Sequence, residues 1–353
     1  MTVLFIVPYC SMGASNRYRV EQYLPYLKSN GIEYRLRPFV FEEFYKILYL
    51  KRKYLMKIIY FIKAFLNRIL DISRLYKYDL VFIHREACPF GPPIFEYIVY
   101  FFKKPLIFDF DDAIYLQNFN PANRMYSFLK FPSKTKSIIR ISSCVIVANK
   151  FLKEYACRHN KNVYIIPTPI DTERFKPTAK PSNRITIGWI GSPTTAPYLK
   201  IILPVMRILR QKYDFCLKIV GSGENSFVKD IKVENIAWQL NREIEDFQSI
   251  DIGIYPMPDT LWACGKAGFK AIQYMAVGVP VVASPVGMVK DIIQDGVNGF
   301  LADSAEDWTR KLSRLIGDSQ LRQNIGLNGR KSVEEKYSVI INAQKFIDRI
   351  KNV

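Results

Sequence analysis

The chain has 353 residues, of which 49% are hydrophobic and 24% are charged, a composition typical of a folded protein that excludes a disordered one. Two domains of ordinary size fit this length, each able to bury its own core. Only two histidines are present, which excludes a histidine-rich metal site, and no uninterrupted apolar run is long enough to span a bilayer.

The formal net charge of +19 predicts a polyanionic partner or surface. Six cysteines are scattered without paired spacing, several within apolar strand-like runs, which is typical of small core residues in a reducing compartment. The N-terminal apolar run is short and lacks a basic lead-in, so no signal peptide is expected. These features predict a cytoplasmic protein.

Residues 1–166 alternate strand-like apolar runs with helical segments, as a parallel sheet requires. Gly13 follows the first strand, where it could let backbone approach a phosphate or simply form a turn. Arg17 and Arg19 nearby could bind phosphate or lie in solvent. Arg85 and Glu86 are expected at the carboxyl end of a strand, in a ligand cleft or as a surface ion pair. The predicted strands are 3–7, 32–37, 80–84, 105–110, 144–148 and 163–166.

Residues 44–78 carry nine basic side chains against one acid, Asp71, with aliphatic and aromatic residues interleaved at helical spacing. This pattern predicts a basic amphipathic helix of the kind that docks on an anionic membrane surface. It also fits a helix that packs its apolar stripe on a sheet and leaves the lysines in water. No nucleic-acid partner is predicted, because the aromatic residues sit among aliphatic ones and no recognition motif is visible.

Three carboxylates, Asp109, Asp111 and Asp112, cluster at the end of the strand predicted over 105–110. Three such groups repel one another, so one is expected to be protonated or ligand-bound unless they face apart. Asp109-Phe-Asp111 also fits the short Asp-x-Asp signature of some metal sites, which is a weak signal.

Four prolines mark residues 167–184 as an interdomain linker. A second alternating series follows it, which predicts a second parallel sheet. Its predicted strands are 185–190, 217–220, 235–238, 252–255 and 279–283.

A helix predicted to begin near Gly265 would place Lys266, Lys270 and Gln273 on one stripe. Lysines in a first helical turn oppose the helix dipole and cost about 0.3–1 kcal/mol each unless an anion binds there. The pattern therefore predicts a diphosphate-binding site, formed by free backbone N–H groups and the two ammonium groups. The amide of Gln273 is predicted to hydrogen-bond a hydroxyl group of the same ligand. The alternative is a solvated lysine face on an ordinary helix.

The C-terminal half contains several unlike elements in a characteristic order: the strand at 252–255, the glycine-rich helix start, Met275-Ala-Val-Gly-Val-Pro-Val-Val-Ala-Ser, Gly287, and residues 291–301. In this order they resemble the nucleotide-sugar half of family 4 retaining glycosyltransferases, also described as glycosyl transferases group 1. Residues 185–192 and 217–223 resemble the first strands of that half. Residues 3–8, 13–19 and 81–86 resemble its acceptor half.

The resemblance implies an α/β protein of the GT-B fold, with two Rossmann-like domains facing a central cleft. Residues 1–166 would bind the acceptor and residues 185–337 the nucleotide sugar, with residues 167–184 as linker. A helix over 338–353 would pack back onto the first domain.

The same resemblance implies metal-independent transfer, with retention, of a sugar from a nucleoside-diphosphate sugar. The basic segment 44–78 adds the expectation of a glycan or lipid-linked acceptor on the cytoplasmic face of a membrane. Gln273 would read the ribose, and Asp111, Asp112 and Glu86 would orient the sugar and acceptor hydroxyls. The residues expected to bind the donor, mainly at its diphosphate, are Gly13, Arg85, Gly191, Ser192, Gly221, Lys266 and Lys270.

Two departures from the family pattern leave alternatives open. The family tends to place an Arg and a Lys after the first strand of the C-terminal half, whereas this chain reads Gly191-Ser-Pro-Thr-Thr-Ala. The family carries two glutamates across this helix start, whereas the corresponding positions here are Gly265 and Gln273. An amide can still donate to and accept from a hydroxyl, but the first carboxylate is missing. A non-catalytic sugar-nucleotide-binding or membrane scaffold, and a nucleotide-sugar 2-epimerase, are the other functions compatible with this fold.

Overall fold

The computed structural model describes residues 1–48, 50, 52–116, 131, 133–178, 184–223 and 233–353. Contacts divide the chain into a first unit, Met1–Pro169 with Val339–Val353, and a second unit, Ile170–Ser338. The segment predicted as a linker is divided between them at residues 169 and 170. The C-terminal helix belongs to the first unit.

Each unit is built on a parallel sheet of six strands among the described residues. The order is β2-β1-β3-β4-β5-β6 in the first unit and β12-β11-β10-β7-β8-β9 in the second. The strands are β1 Thr2–Tyr9, β2 Glu33–Val40, β3 Leu80–His84, β4 Leu106–Phe110, β5 Cys144–Val147, β6 Val163–Ile165, β7 Ile185–Ile190, β8 Phe215–Val220, β9 Val233–Ile236, β10 Ile252–Tyr255, β11 Val281–Ala283 and β12 Phe300–Leu301. These two sheets confirm the predicted α/β class and the two Rossmann-like units.

The helices alternate with these strands along the chain. They are α1 Ala14–Arg19, α2 Leu24–Ser29, α3 Glu42–Leu48, α4 Tyr54–Ser73, α5 Ile94–Phe101, α6 Ser133–Ile141, α7 Lys150–Cys157, α8 Leu203–Arg210, α9 Glu243–Gln248, α10 Leu261–Cys264, α11 Phe269–Ala276, α12 Val289–Ile292, α13 Ala305–Gly317, α14 Ser319–Lys336 and α15 Val339–Lys351. Within the described ranges, no helix combines the length and the apolar character needed to cross a bilayer.

The central strands of the first unit are buried throughout. Every residue of β3 and of β4 is buried, as expected for parallel strands covered on both faces. Helix α15 completes this core, because the Phe346 ring stacks on Tyr23 at 4.2 Å and lies 5.3 Å from the Phe82 ring.

The strand order identifies where a ligand would lie in each unit. Neighbouring strands whose connections leave in opposite directions open a crevice at their carboxyl ends. That point lies between β1 and β3 in the first unit and between β7 and β10 in the second.

The prediction of one helix over residues 44–78 is wrong. The segment forms α3, a separate α4 and a short 3-10 turn at Leu75–Lys77. Arg52 adopts a left-handed backbone (φ 62°) between the two helices, a conformation that ends regular helix. Lys51, one of the nine basic residues, lies outside the described residues.

Tyr274 connects α11 to β7 in the second unit. Its hydroxyl donates to the Gly188 carbonyl and accepts from the Ile190 N–H, both at 3.0 Å. A side chain on Gly253 would meet the Tyr274 ring at 2.6 Å, so the glycine makes room for this contact. The bond fixes the helix that carries Lys270 against the strand that leads to Gly191.

We expect Tyr274→Phe to lower the free energy of unfolding by about 1–3 kcal/mol, because two buried backbone groups lose their partner. Tyr213→Phe is the matched control, since that ring packs against the hydrophobic core of the same unit and should change stability by less than about 0.5 kcal/mol. Urea unfolding of both variants measures the difference. Equal effects would show that the Tyr274 hydroxyl does not hold the helix on the strand.

Candidate functional site

The second unit places glycines and hydroxyls at the end of β7. A side chain on Gly191 would meet the Trp189 ring at 2.2 Å, and one on Gly221 would lie 2.4 Å from the Gly191 carbonyl oxygen. The Ser192 N–H donates to Thr195 Oγ1 at 3.1 Å. Close packing therefore requires both glycines, and it brings Gly191, Ser192 and Gly221 to one edge of the sheet.

The two lysines do not share a helical stripe, so the prediction of a helix from Gly265 is wrong. Helix α10 ends at Cys264, and α11 begins at Phe269 after Gly268 in a left-handed conformation (φ 62°). Lys266 lies in the turn between the helices, with Nζ 5.7 Å from the Trp262 ring centre. Lys270 is in the first turn of α11. One lysine, not two, therefore opposes the dipole of this helix.

Two glycines cause this break, and their roles could not be assigned from the sequence. A side chain on Gly268 would lie 2.5 Å from Ile292 Cδ1, and one on Gly287 (φ 54°) would lie 2.7 Å from Cys264 Cα. The turn of residues 265–268 therefore packs directly on the backbone after β11. This packing holds the two lysines at the carboxyl edge of β10.

Gln273 is fully buried. Its Oε1 accepts a hydrogen bond from Lys270 Nζ at 2.8 Å, and Lys270 Nζ also lies 5.1 Å from the Phe247 ring centre. The amide thus positions Lys270 in this structure. Because Gln273 is fully buried, a ribose hydroxyl could reach its amide only after neighbouring groups move.

In the first unit, a buried polar network fills the crevice between β1 and β3. His84 Nδ1 lies 2.6 Å from Asp109 Oδ2, and His84 Nε2 contacts Ser15 Oγ. Arg19 donates through Nε to Asp109 Oδ2 at 3.2 Å and through Nη1 to the Ile166 carbonyl at 2.7 Å. Arg19 is therefore a buried structural cation, and the prediction that it binds phosphate or lies in solvent is wrong.

Sequence reasoning missed Ser15 and His84. The histidine ends an apolar run and resembles a core residue in the sequence. Only its neighbours across the sheet, Asp109 on β4 and Ser15 on α1, show that it joins a polar network.

A second group of charges lies beside this network. Arg85 donates through Nε to Asp111 Oδ1 at 2.8 Å and through Nη2 to Asp112 Oδ2 at 2.6 Å. Arg85 has a left-handed backbone (φ 62°), which is uncommon outside glycine and is found where function or packing fixes a residue. This backbone turns the guanidinium of Arg85 toward the end of β4.

Asp109 and Asp111 face cationic side chains and are ionised, so neither of them carries the expected proton. Burial opposes ionisation of Asp109, but the charge of Arg19 and the hydrogen bond with His84 outweigh it and hold its pKa below the ordinary value. Burial likewise opposes ionisation of Asp111, and Arg85 outweighs it, so this pKa is also lowered. The oxygens of the Asp-x-Asp motif therefore face arginines. Among the residues that the structure describes, no group of three or more His, Cys, Asp or Glu could hold a metal ion.

Glu86 does not pair with Arg85, which corrects the suggested ion pair between them. Its carboxylate contacts Lys134 Nζ, which also donates to the Cys88 carbonyl at 2.8 Å. The Gly13 N–H donates to the Cys10 carbonyl at 2.9 Å, and a side chain there would lie 2.6 Å from Tyr9 Cβ. Gly13 is thus a turn glycine required by close packing.

Comparison with known proteins gives a match over the second unit. Residues 170–332 match the family model described as glycosyl transferases group 1. The capsular polysaccharide biosynthesis glycosyltransferase CapM of Staphylococcus aureus is 26% identical over 171 residues, which are 44% of this chain and 43% of CapM. This chain therefore spans less than half the length of that relative.

Solved structures match over nearly the whole chain. A glycosyltransferase from Rickettsia africae superposes with a TM-score of 0.72 at 16% identity, covering 99% of this chain and 98% of that one. The Anabaena protein HepE, solved in complex with UDP-glucose, superposes with a TM-score of 0.71 at 14% identity and covers 100% of both chains. At these identities the likeness shows a shared fold, which is the GT-B fold.

We expect Asp109→Asn to lower the free energy of unfolding by about 3–5 kcal/mol at neutral pH, because Arg19 would remain buried without a counter-charge. Since the folded-state pKa of Asp109 is lowered, its contribution is present above about pH 4 and is lost as the pH falls further. The difference in the free energy of unfolding between wild type and Asp109→Asn should therefore become smaller in acid.

Asp112→Asn is the matched control, because it leaves Asp111 beside Arg85 and should cost less than about 1 kcal/mol. Urea unfolding across the pH range measures both variants. A deficit for Asp109→Asn that equals the control, or that is unchanged in acid, would contradict the structural role of the network.

Proposed function

We propose that this chain is a glycosyltransferase, because residues 170–332 match the family model of the glycosyl transferases group 1. It would move a sugar from a nucleoside-diphosphate sugar, with retention, onto a glycan or lipid-linked acceptor. HepE, which shares the fold, was solved with UDP-glucose, and CapM is named for capsular polysaccharide biosynthesis. Both are consistent with a nucleotide-sugar donor and a cell-envelope glycan.

One observation carries this proposal. The turn with Lys266, the start of α11 with Lys270, and the turn with Gly191 and Ser192 follow the two strands that flank the crevice of the second unit. Cations and backbone N–H groups at such an edge favour a diphosphate. They also stabilise the charge that develops as the diphosphate leaves, which is the largest catalytic contribution in reactions of this kind.

The first unit would supply the groups that orient the reacting hydroxyls. Asp111, Asp112 and Glu86 are ionised or paired carboxylates near the carboxyl ends of β3 and β4, and Arg85 fixes two of them. No protein nucleophile is assigned, since in the proposed reaction an oxygen of the leaving phosphate accepts the proton of the incoming hydroxyl. Gln273 would read the ribose once Lys270 turns toward the diphosphate.

We expect Lys266→Ala and Lys270→Ala each to weaken donor binding about tenfold to a hundredfold, because each removes a charge-assisted contact worth roughly 1.5–3 kcal/mol. Lys331→Ala, on the exposed side of α14, is the control and should bind normally. Calorimetric titration with UDP-sugars, after a thermal-shift screen has selected the donor, provides the measurement. If both folded variants bind the donor with wild-type affinity, the two lysines do not contact the diphosphate and only face solvent.

The proposed mechanism needs no metal, because lysines neutralise the leaving group. Chelator should leave the transfer rate unchanged, and added manganese should not raise it. Complete loss with chelator and recovery with manganese would instead assign a metal to the reaction.

The proposal places the protein at the inner surface of a membrane, bound to anionic lipid through the basic residues of segment 44–78. Each basic side chain near such a surface contributes about 1 kcal/mol at low salt. Arg68 is buried and paired with Asp71, so it does not take part. The basic residues of this segment that can face lipid are Lys46, Arg52, Lys53, Lys57, Lys63, Arg74 and Lys77.

The absence of a carboxylate at Gly265 favours one second candidate, a scaffold that binds a sugar nucleotide without catalysing transfer. Turnover of a nucleotide sugar separates the two functions, because a scaffold binds the donor but releases no nucleotide.

A further inference from the structure

Helix α4 exposes an apolar face. The side chains of Leu55, Ile58, Ile62 and Leu66 recur at helical spacing and are all exposed, Leu55 to 71%. All residues of this helix are described, and the only exposed ones that are not apolar are Lys63 and Ser73. The complete set of exposed apolar residues on α4 is Tyr54, Leu55, Met56, Ile58, Ile59, Ile62, Phe65, Leu66, Ile69 and Leu70.

The inward face of the same helix carries a buried ion pair beside Ala64 and Ile72, whereas an ordinary surface helix turns its apolar stripe inward. Arg68 is buried and donates through Nε to the Ala87 carbonyl at 3.0 Å and through Nη1 to Asp71 Oδ2 at 3.1 Å. Asp71 also pairs with Arg37. Rotation of α4 to bury its apolar face would expose this pair and break these bonds. The structure therefore holds the apolar face outward.

Helix α5 extends the exposed surface. The Phe65 and Phe95 rings, 5.3 Å apart, join the two helices, and Phe101 and Phe102 are exposed to 74% and 67%. An apolar groove of about 420 Å³ connects the two helix ends, lined by Ile69, Ile72, Ser73, Leu75, Tyr76, Phe102 and Lys104. We call the exposed residues of α4, of α5 and of this groove the α4–α5 face. A continuous apolar surface on this scale marks an interaction site.

Charge identifies the occupant. Lys63 lies 4.9 Å from the Phe41 ring centre, and Lys77 lies 5.6 Å from the Tyr76 ring centre, so both ammonium groups stand beside aromatic residues at the edge of the face. Lys103 and Lys104 follow Phe102 directly. A second copy with the same net charge of +19 would be repelled. An anionic lipid surface attracts the basic edge and accepts the apolar side chains.

We propose that the α4–α5 face inserts into the hydrocarbon boundary of an anionic bilayer, with α4 lying in the plane of the membrane. This inference rests on the membrane attachment in the proposed function and changes its physical basis. Charge brings the protein to the surface, and burial of apolar side chains then retains it. Binding, once formed, should resist salt, which purely electrostatic docking does not.

A four-residue variant tests the insertion: Leu55→Gln, Ile59→Gln, Ile62→Gln and Leu66→Gln. A matched control replaces four exposed aliphatic residues elsewhere: Ile208→Gln, Leu240→Gln, Leu327→Gln and Ile340→Gln. Flotation with phosphatidylcholine–phosphatidylglycerol vesicles at about 0.05 M and about 0.5 M salt gives the readout. Wild type and control should remain bound at high salt, and the α4 variant should bind about a hundredfold more weakly. Release of all three proteins by salt would overturn the proposal.

Depth of insertion gives a second, independent test. Ile62→Trp should be quenched by brominated lipid beyond the signal of the four native tryptophans, whereas Leu327→Trp on α14 should not. Equal quenching of the two variants would overturn the insertion. A lipid-free dimer that the α4 variant converts to monomer would overturn it in favour of a second copy.

The two proposals fail separately. Lys266 and Lys270 lie in the second unit, so the α4 variant should keep wild-type binding of the UDP-sugar. Salt-resistant vesicle binding without any turnover would count against the transferase and support the insertion. Turnover of a soluble acceptor without vesicle binding would support the transferase and count against the insertion.

Discussion

The buried carboxylate of Asp109 is the constraint on which the ligand-facing edge of the first unit depends. It accepts from Arg19 and His84, and Arg19 also donates to the carbonyl of Ile166 directly after β6. One ionised group thus connects α1, β3, β4 and the end of β6. Burying a charge is costly unless partners surround it, so these elements hold their relative positions to satisfy it. The carboxylates of Asp111 and Asp112 are left at the edge of this network beside Arg85.

The second unit organises its edge through glycine packing and one tyrosine hydroxyl. Gly268 and Gly287 remove the side chains that would keep the turn of residues 265–268 away from the backbone after β11. Tyr274 then fixes α11 to β7 through two backbone hydrogen bonds. Close packing and a single hydroxyl therefore place Lys270 beside Gln273.

Helix α4 buries a pair of charged side chains and exposes many of its large apolar side chains. Arg68 and Asp71 are inside, where their mutual attraction and a carbonyl partner offset the loss of water, and a row of large apolar side chains faces outward. In an isolated soluble protein this arrangement exposes surface that water disfavours. A lipid interface removes that penalty. The buried ion pair and the exposed apolar side chains of α4 therefore both fit the proposed membrane-bound state.

The sequence by itself determined the class of fold and most of the strands. Apolar runs such as 80–84, 185–190 and 252–255 coincide with β3, β7 and β10, because strands buried on both faces need continuous apolar sequence. The short β12 escaped prediction, since two residues carry no periodicity. Motif order also indicated the glycosyltransferase resemblance, and the family match over residues 170–332 confirms it.

Only the tertiary structure decided which charges pair and which way each helix faces. The sequence placed Arg85 next to Glu86, but strand pairing brings it to Asp111 and Asp112. It showed basic and apolar residues interleaved over 44–78, but not that Arg68 points inward and Leu66 outward. Helical periodicity gives the angle between side chains and leaves the rotation of the helix free. Partners distant in the chain, here Ala87 and Arg37, fix that rotation.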